Sequence, residues 1–198
     1  MNKKFVYLVL FVITLLSLFY DKQVAITIAQ NRLSILDDIA LWFTSLLTII
    51  IIFLLMTTLF LWEENKRKWI IPLWASISLS AAVTFILKFL TQRTRPFEAL
   101  ALPLVQGADY TFNSMWNTGF PSMHTAAVFS LVPILDKEFP KLKWFWVTLA
   151  LLISSSRIYL GVHYLSDVLF ACLIGLLVGH GVILLEKRYF SKWKKRKN

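Results

Sequence analysis

The chain contains a single cysteine, Cys172, so an intrachain disulfide and a multi-cysteine metal site are both excluded. It has no internal repeat and no low-complexity linker, and we therefore expect one domain over residues 1–198. Acidic residues are few, with 11 Asp and Glu against 21 Lys and Arg, which gives a formal net charge of +10. In a soluble protein this excess would favour nucleic-acid binding. In a membrane protein, the distribution of the basic residues indicates which side of the membrane each loop faces.

Apolar residues make up 58% of the chain, against about 45–50% in soluble domains, and the mean hydropathy is +0.66. The excess lies in six runs, at residues 5–20, 40–62, 69–91, 122–135, 144–160 and 167–185. The second, third and sixth runs reach the roughly 20 residues that span a bilayer. The sequence therefore predicts an all-α, polytopic membrane bundle of six transmembrane helices.

Two predictions concern the N-terminal region. The first run has no small-residue cleavage site of the kind that ends a signal peptide, so we expect it to be a retained helix. In residues 21–38, Val24, Ile28 and Leu36 recur at helical spacing, which predicts an amphipathic helix at the membrane interface after the first transmembrane helix. A connecting loop is the alternative for this segment.

The distribution of Lys and Arg predicts the orientation. With both termini in the cytoplasm, fifteen of the 21 basic residues face the cytoplasm, as the positive-inside rule requires. The other six lie outside, namely Lys22, Arg32, Lys88, Arg93, Arg95 and Arg157. The basic tail at residues 187–198 is expected to anchor the chain to anionic membrane lipids rather than to bind nucleic acid.

Three polar motifs fall at the predicted outer ends of the helices, and the first contains Lys88, Arg95 and Pro96. Lys88 still lies within an apolar run, where a charge costs ~2.5–3.5 kcal/mol and usually marks a partner or a cavity. Arg95 follows about two helical turns later, so both side chains can face one cavity. Pro96 is expected to end the helix.

The second motif, Pro121-Ser122-Met123-His124, has the residue types of a first helical turn. The free N–H groups of a helix N-terminus attract anions, and the Ser122 hydroxyl adds a donor. His124 is placed there to give or take a proton.

The third motif runs from Ser156-Arg157 through His163 to Asp167. On a helix, His163 and Asp167 would lie within hydrogen-bonding reach, so the carboxylate could orient the imidazole and leave its other nitrogen basic. Arg157 offers a planar donor fork that suits phosphate. The three motifs together favour a site for a dianion. A metal site built from two histidines and an aspartate is the alternative, although the neighbouring cations would repel a metal.

The motifs Lys88-x6-Arg95-Pro96, Pro121-Ser122-x-His124 and Ser156-Arg157-x5-His163-x3-Asp167 resemble the three-part signature of the type 2 phosphatidic acid phosphatase family. That family includes membrane lipid phosphatases and soluble vanadium haloperoxidases, and the apolar runs favour the membrane branch. The resemblance covers residues 88–167 in order. Met123 departs from it, because the family usually has glycine between the serine and the histidine.

The resemblance implies a mechanism. His163 would attack phosphorus and form a phosphohistidine, with Asp167 orienting it, while His124 would protonate the leaving oxygen and then activate water. The groups implied to hold the phosphoryl oxygens are Lys88, Arg95, Ser122, the backbone of Met123, and Arg157. No metal or other cofactor is required.

We therefore expect a single integral membrane phosphatase domain in a bacterial inner membrane, with both termini cytoplasmic and the active site facing the periplasm or exterior. Small size and short loops favour a bacterial protein. The candidate substrates are undecaprenyl diphosphate, the 1-phosphate of lipid A and phosphatidylglycerol phosphate. Residues 97–120 are expected to cover the site. The alternatives are a non-catalytic lipid-binding or lipid-translocating protein on the same scaffold, and an anion transporter, which would need charges continuing toward the cytoplasm.

Overall fold

The computed structural model describes residues 3–105 and 118–197. Within these two ranges it is built from helices, with no strand. The α-helices are α1 (Lys3–Gln30), α2 (Ser34–Thr44), α3 (Leu46–Trp62), α4 (Ile70–Thr91), α5 (Pro96–Ala99), α6 (Met123–Glu138), α7 (Lys143–Tyr159) and α8 (Leu165–Lys197). Short 3-10 turns at Glu64–Trp69 and Pro140–Leu142 precede α4 and follow α6.

Three helical stretches of the described chain are long and apolar enough to cross a membrane, at Phe5–Gln30, Glu64–Ala99 and Leu165–Arg188. The prediction of an all-helical membrane protein is therefore confirmed. The count of six transmembrane helices stays a prediction. Helices α3, α6 and α7 have 17, 16 and 17 residues, slightly fewer than the roughly 20 that match the hydrocarbon thickness.

The N-terminal region differs from the pattern that the sequence predicts. Helix α1 continues through residues 21–30, where a separate interfacial helix was expected, and α2 begins only at Ser34. The second apolar run is divided at Ser45, whose extended backbone ends α2. The Ser45 hydroxyl then accepts a hydrogen bond from the Thr48 amide at 3.1 Å, which caps the start of α3.

Helix α4 buries a stripe of residues four apart, namely Ser76, Ser80, Thr84 and Lys88. Residues at this spacing lie on one helix face, and the small side chains of the first three allow a close approach to a neighbouring helix. The Ser76 hydroxyl donates to the Ser130 carbonyl of α6 at 3.0 Å. Lys88 continues the same stripe at the last turn of α4, which is why its side chain points into the bundle.

Helices α6 and α8 form the centre of the bundle, and glycines on α8 set their separation. A Cβ at Gly175 would meet the Ala126 carbonyl oxygen at 2.5 Å and the Phe129 Cβ at 2.8 Å. The two backbones therefore approach as closely as only glycine permits. At the site end of this contact, the Ser122 amide donates to the Asp167 carbonyl at 3.3 Å. This packing fixes the start of α6 against the start of α8.

Candidate active site

All three motifs lie at the same end of the bundle, at or beside helix ends. The end of α4 provides Lys88, and Arg95 follows it. The first turn of α6 provides His124, and the last turn of α7 provides Arg157. Ser122 and Met123 stand at the N-cap and first position of α6, and His163 and Asp167 flank the start of α8. The predicted site residues are thus brought together by the meeting of four helix ends.

The turn between α7 and α8 holds His163 in place. Gly161 has a φ of 73°, a left-handed conformation that favours glycine. The amides of Val162 and His163 both donate to the Arg157 carbonyl at 3.3 Å. Arg95 Nη1 donates to the Val162 carbonyl at 3.2 Å, so the first motif also fastens this turn. His163 is 2% exposed as a result.

The orientation of His163 differs from the one expected from the sequence. Its Nδ1 lies 2.6 Å from the Gly119 carbonyl oxygen and 3.8 Å from Asp167 Oδ2. Only the first distance is a hydrogen bond. The expected contact with Asp167 assumed helical geometry, whereas His163 lies in the turn before α8. A carbonyl oxygen can only accept, so Nδ1 carries the proton and Nε2 keeps its lone pair.

The electrostatic environment keeps the His163 ring neutral. Burial lowers the pKa of His163 well below its usual range, and the positive charges of Arg95 and Arg157 lower that pKa further. At neutral pH, Nε2 is therefore unprotonated and can act as a nucleophile or base.

Asp167 is fully buried and has partners other than the imidazole. Its Oδ2 accepts from the Tyr164 amide at 2.8 Å, and its Oδ1 accepts from Arg93 Nη1 at 2.5 Å. Arg93 also pairs with Asp21 of α1 at 2.7 Å. Sequence reasoning missed both residues. Arg93 looked like one more outer basic residue, and its partner Asp21 lies 72 positions away along the chain.

Three cations surround the two histidines. Lys88, Arg95 and Arg157 are 7%, 6% and 1% exposed, and each acts electrostatically on both His124 and His163. Lys88 Nζ donates to the Thr118 carbonyl. Clustering like charges away from water is unfavourable without an anion. The arrangement is therefore suited to binding a group with several negative oxygens.

The first turn of α6 completes the site. The Ser122 side chain caps this helix, accepting from the Thr125 amide at 3.5 Å and from the Thr125 hydroxyl at 3.0 Å. Its own hydroxyl proton stays available for donation. Met123 is the first residue of α6 and does not have a positive φ, so this position does not need the backbone freedom of glycine. Its N–H is among the first-turn groups that have no partner within the helix. His124 is half-buried and thus more accessible than His163.

Some predictions fall outside what the structure describes. The expected cover over the site, residues 97–120, includes residues 106–117, which lie outside the described residues, as do the side chains of the basic tail beyond Arg188. Among the described residues, no group of three His, Cys, Asp or Glu side chains is arranged as metal ligands.

One family model and two curated proteins match parts of this sequence. The sequence model of a family described as the PAP2 superfamily matches residues 69–190, which include all three motifs. The chain is 34% identical over 77 residues to a lipid A 4'-phosphatase of Porphyromonas gingivalis, covering 38% of this chain and 33% of that protein. It is 39% identical over 61 residues to the bacitracin transport permease protein BcrC of Bacillus licheniformis, covering 31% and 30%. The chain thus matches about a third of the length of these curated relatives.

Two solved structures share the fold over most of both chains. One is a transmembrane PAP2 type phosphatidylglycerolphosphate phosphatase from Bacillus subtilis, with a TM-score of 0.68 and 19% identity over 92% of this chain and 96% of that one. The other is LpxE of Aquifex aeolicus, with a TM-score of 0.62 and 27% identity over 81% and 93%. The first likeness, at this identity, concerns the fold alone.

Proposed function

We propose that this chain, which belongs to the PAP2 superfamily of membrane lipid phosphatases, hydrolyses a lipid phosphate or diphosphate through a phosphohistidine on His163. One observation carries the proposal. The His163 ring is buried, neutral and held through Nδ1 by the Gly119 carbonyl, while three buried cations surround it. A fixed neutral nucleophile beside a cationic pocket is what attack on a phosphoryl group needs.

The reaction has two steps. In the first, Nε2 of His163 attacks phosphorus and the bond to the lipid oxygen breaks. That oxygen takes a proton from His124, which is protonated once the bound phosphate dianion offsets the three cations. In the second, neutral His124 takes a proton from water, the water attacks the phosphohistidine, and inorganic phosphate leaves with His163 regenerated. Lys88, Arg95 and Arg157 hold the phosphoryl oxygens throughout, helped by Ser122 and the first-turn N–H groups of α6.

The proposed orientation has the site on the periplasmic or outer face and both termini in the cytoplasm. The basic side chains Lys66, Arg67, Lys68 and Lys141 lie in the 3-10 turns before α4 and after α6. These turns are at the opposite end of α4 and α6 from the site, and basic residues concentrate on the cytoplasmic side. The proposed location is a bacterial inner membrane.

The proposed substrates are lipid A phosphate, phosphatidylglycerol phosphate and undecaprenyl diphosphate. The first is supported by one relative, which is named a lipid A 4'-phosphatase and matches 38% of this chain. All three present a phosphate at headgroup depth, where a site at the ends of membrane helices opens.

The test is phosphate release by purified protein in detergent, with EDTA present, on these lipids and on phosphatidate. We expect release by the wild-type protein and by His180→Ala, and none by His163→Ala. His180 is the matched control, since it lies near the middle of α8 beside Tyr7, thirteen residues beyond Asp167. Quenching with denaturant at alkaline pH should trap a phosphohistidine, which is stable to base and labile to acid, on the wild-type protein only. No release from any lipid, or full release by His163→Ala, would overturn the proposal.

A further inference from the structure

A closed ring of polar contacts joins α1 to the start of α8 and connects the predicted site residue Asp167 to three residues that the sequence did not single out. We name it the Asp21–Arg93 network, consisting of Asp21, Arg93, Ser166 and Asp167. Arg93 Nη2 donates to Asp21 Oδ2 at 2.7 Å, and its Nη1 donates to Asp167 Oδ1 at 2.5 Å and to the Ser166 hydroxyl at 2.8 Å. The Ser166 amide donates to Asp21 Oδ1 at 2.9 Å, and its hydroxyl donates to Asp21 Oδ2.

The network places one guanidinium between two carboxylates that water hardly reaches. Asp21 is 2% exposed and Asp167 is 0% exposed, while the Arg93 side chain is 28% exposed. Buried carboxylates are costly unless they are paired and hydrogen-bonded. Asp21 also accepts from the first turn of α8, where the helix dipole favours a negative charge. Each carboxylate has other hydrogen-bond donors, but both are paired with a positive charge only while Arg93 stays in place.

Arg93 does not contact His163 directly but is connected to it through two chains of contacts. Its side chain holds Asp167, whose Oδ2 lies 3.8 Å from His163 Nδ1. Its backbone carbonyl accepts from the Gly119 amide at 2.7 Å, and the Gly119 carbonyl is the group that holds His163 Nδ1. The Tyr164 ring lies 4.3 Å from the guanidinium carbon of Arg93. This cation–π contact helps to hold the guanidinium between the two carboxylates. Both terminal nitrogens of Arg93 thus face protein carboxylates.

We propose that Arg93, anchored by Asp21 of α1, is a positioning residue that sets Asp167 and the His163 turn for the phosphoryl transfer proposed above, on which this inference rests. Arg93 does not touch the substrate. It holds the carboxylate beside the imidazole at a fixed distance, so its effect is on the rate of the chemical step.

The variants that test this are Arg93→Gln, Arg93→Lys, Asp21→Asn and the double variant Arg93→Gln/Asp21→Asn. The matched control is Arg67→Gln, which removes an arginine paired with Glu64 at 3.6 Å at the other end of α4. For each variant, kcat and KM for lipid phosphate release are measured on the folded fraction from size-exclusion chromatography.

We expect Arg93→Gln to lower kcat about 100-fold, the effect of a roughly 1 Å misplacement, with KM nearly unchanged because substrate contacts remain. Arg93→Lys should have a higher kcat than Arg93→Gln, because lysine keeps the positive charge but lacks the two terminal nitrogens of the guanidinium. Asp21→Asn should lower kcat less, since the amide oxygen still accepts from Ser166. The double variant should be no slower than Arg93→Gln alone, because both changes act through Asp167.

Several results would overturn the inference. An unchanged kcat in Arg93→Gln with a reduced folded yield would make the network structural only. A raised KM with unchanged kcat would make Arg93 a substrate contact, and losses that multiply in the double variant would separate Asp21 from Arg93. These outcomes leave the proposed function standing as long as the wild-type protein releases phosphate and His163→Ala does not. No release by the wild-type protein would overturn both.

Discussion

Replacing Asp167 with Asn tests how this carboxylate acts on His163. Asp167 Oδ2 lies 3.8 Å from His163 Nδ1, and the imidazole N–H is held by Gly119 instead. The substitution therefore removes a charge beside the ring but keeps the acceptor that sets the tautomer. The ring becomes positively charged as phosphohistidine forms, so the missing carboxylate should slow that step.

The size of the effect follows from Coulomb's law. At the observed 3.8 Å and an effective dielectric constant of about 20, two unit charges interact by roughly 4 kcal/mol. A loss of this size slows phosphohistidine formation about 1,000-fold, since each ~1.4 kcal/mol is tenfold. Arg93 keeps its pair with Asp21 at 2.7 Å, so it does not leave the site.

The assay is rapid-quench measurement of phosphoenzyme formation in a single turnover. Asp136→Asn is the matched control, because Asp136 is a partly exposed carboxylate near the C-terminal end of α6, away from the site and 3.7 Å from Lys143. The control should react at the wild-type rate. If folded Asp167→Asn protein kept more than about a tenth of that rate, the loss would be under ~1.4 kcal/mol, and the electrostatic reasoning would be refuted.

Three further predictions follow from the same geometry. Because the pKa of His163 is lowered, its ring protonates only as pH falls through that lowered value. Single-turnover attack on an aryl phosphate, which needs no leaving-group proton, should therefore stay constant from about pH 7.5 to 6, and a decline centred near the ordinary pKa of about 6.5 would contradict this. Gly119→Ala places a Cβ 3.3 Å from the Arg93 carbonyl and 3.5 Å from Asp167 Oδ2; kcat should fall at least about tenfold, since even small misplacements are costly. Gly181→Ala, with nothing within 4 Å, should keep wild-type kcat, and equal kcat values for the two variants would contradict the argument. Met123→Gly keeps the N–H and should retain activity, with a loss in thermal stability of roughly 0.5–1 kcal/mol; a large fall in kcat would instead make the Met123 side chain part of the pocket.

The differences between prediction and structure have local causes. Residues 21–38 were expected in a separate interfacial helix, but Asp21 is buried and paired, so this polar residue does not end the apolar helix before it. The run at residues 40–62 was expected to be continuous, but Ser45 is a good helix N-cap and divides it. In each case the helix boundary depends on the partner of one polar side chain, and the pattern of apolar residues does not reveal that partner.

Short-range spacing in the sequence determined the helical class, the membrane character and the positions of the three motifs at helix ends. The apolar run at residues 69–91 is an example, because it is long enough to span a bilayer as one helix, and α4 (Ile70–Thr91) occupies it. Such a run can be recognised in the sequence without knowledge of any tertiary contact.

Only the tertiary structure decided which groups surround the nucleophile. The acceptor for His163 is a backbone carbonyl 44 residues away, and the cation that holds Asp167 is bound to an aspartate 72 residues away in α1. A hydrogen bond to a backbone carbonyl cannot be predicted from residue type, because every residue has that group. An ion pair between distant residues cannot be predicted from their separation along the sequence. Their positions follow from the close packing of α6 on α8, which brings separate helix ends within hydrogen-bonding distance of one buried imidazole.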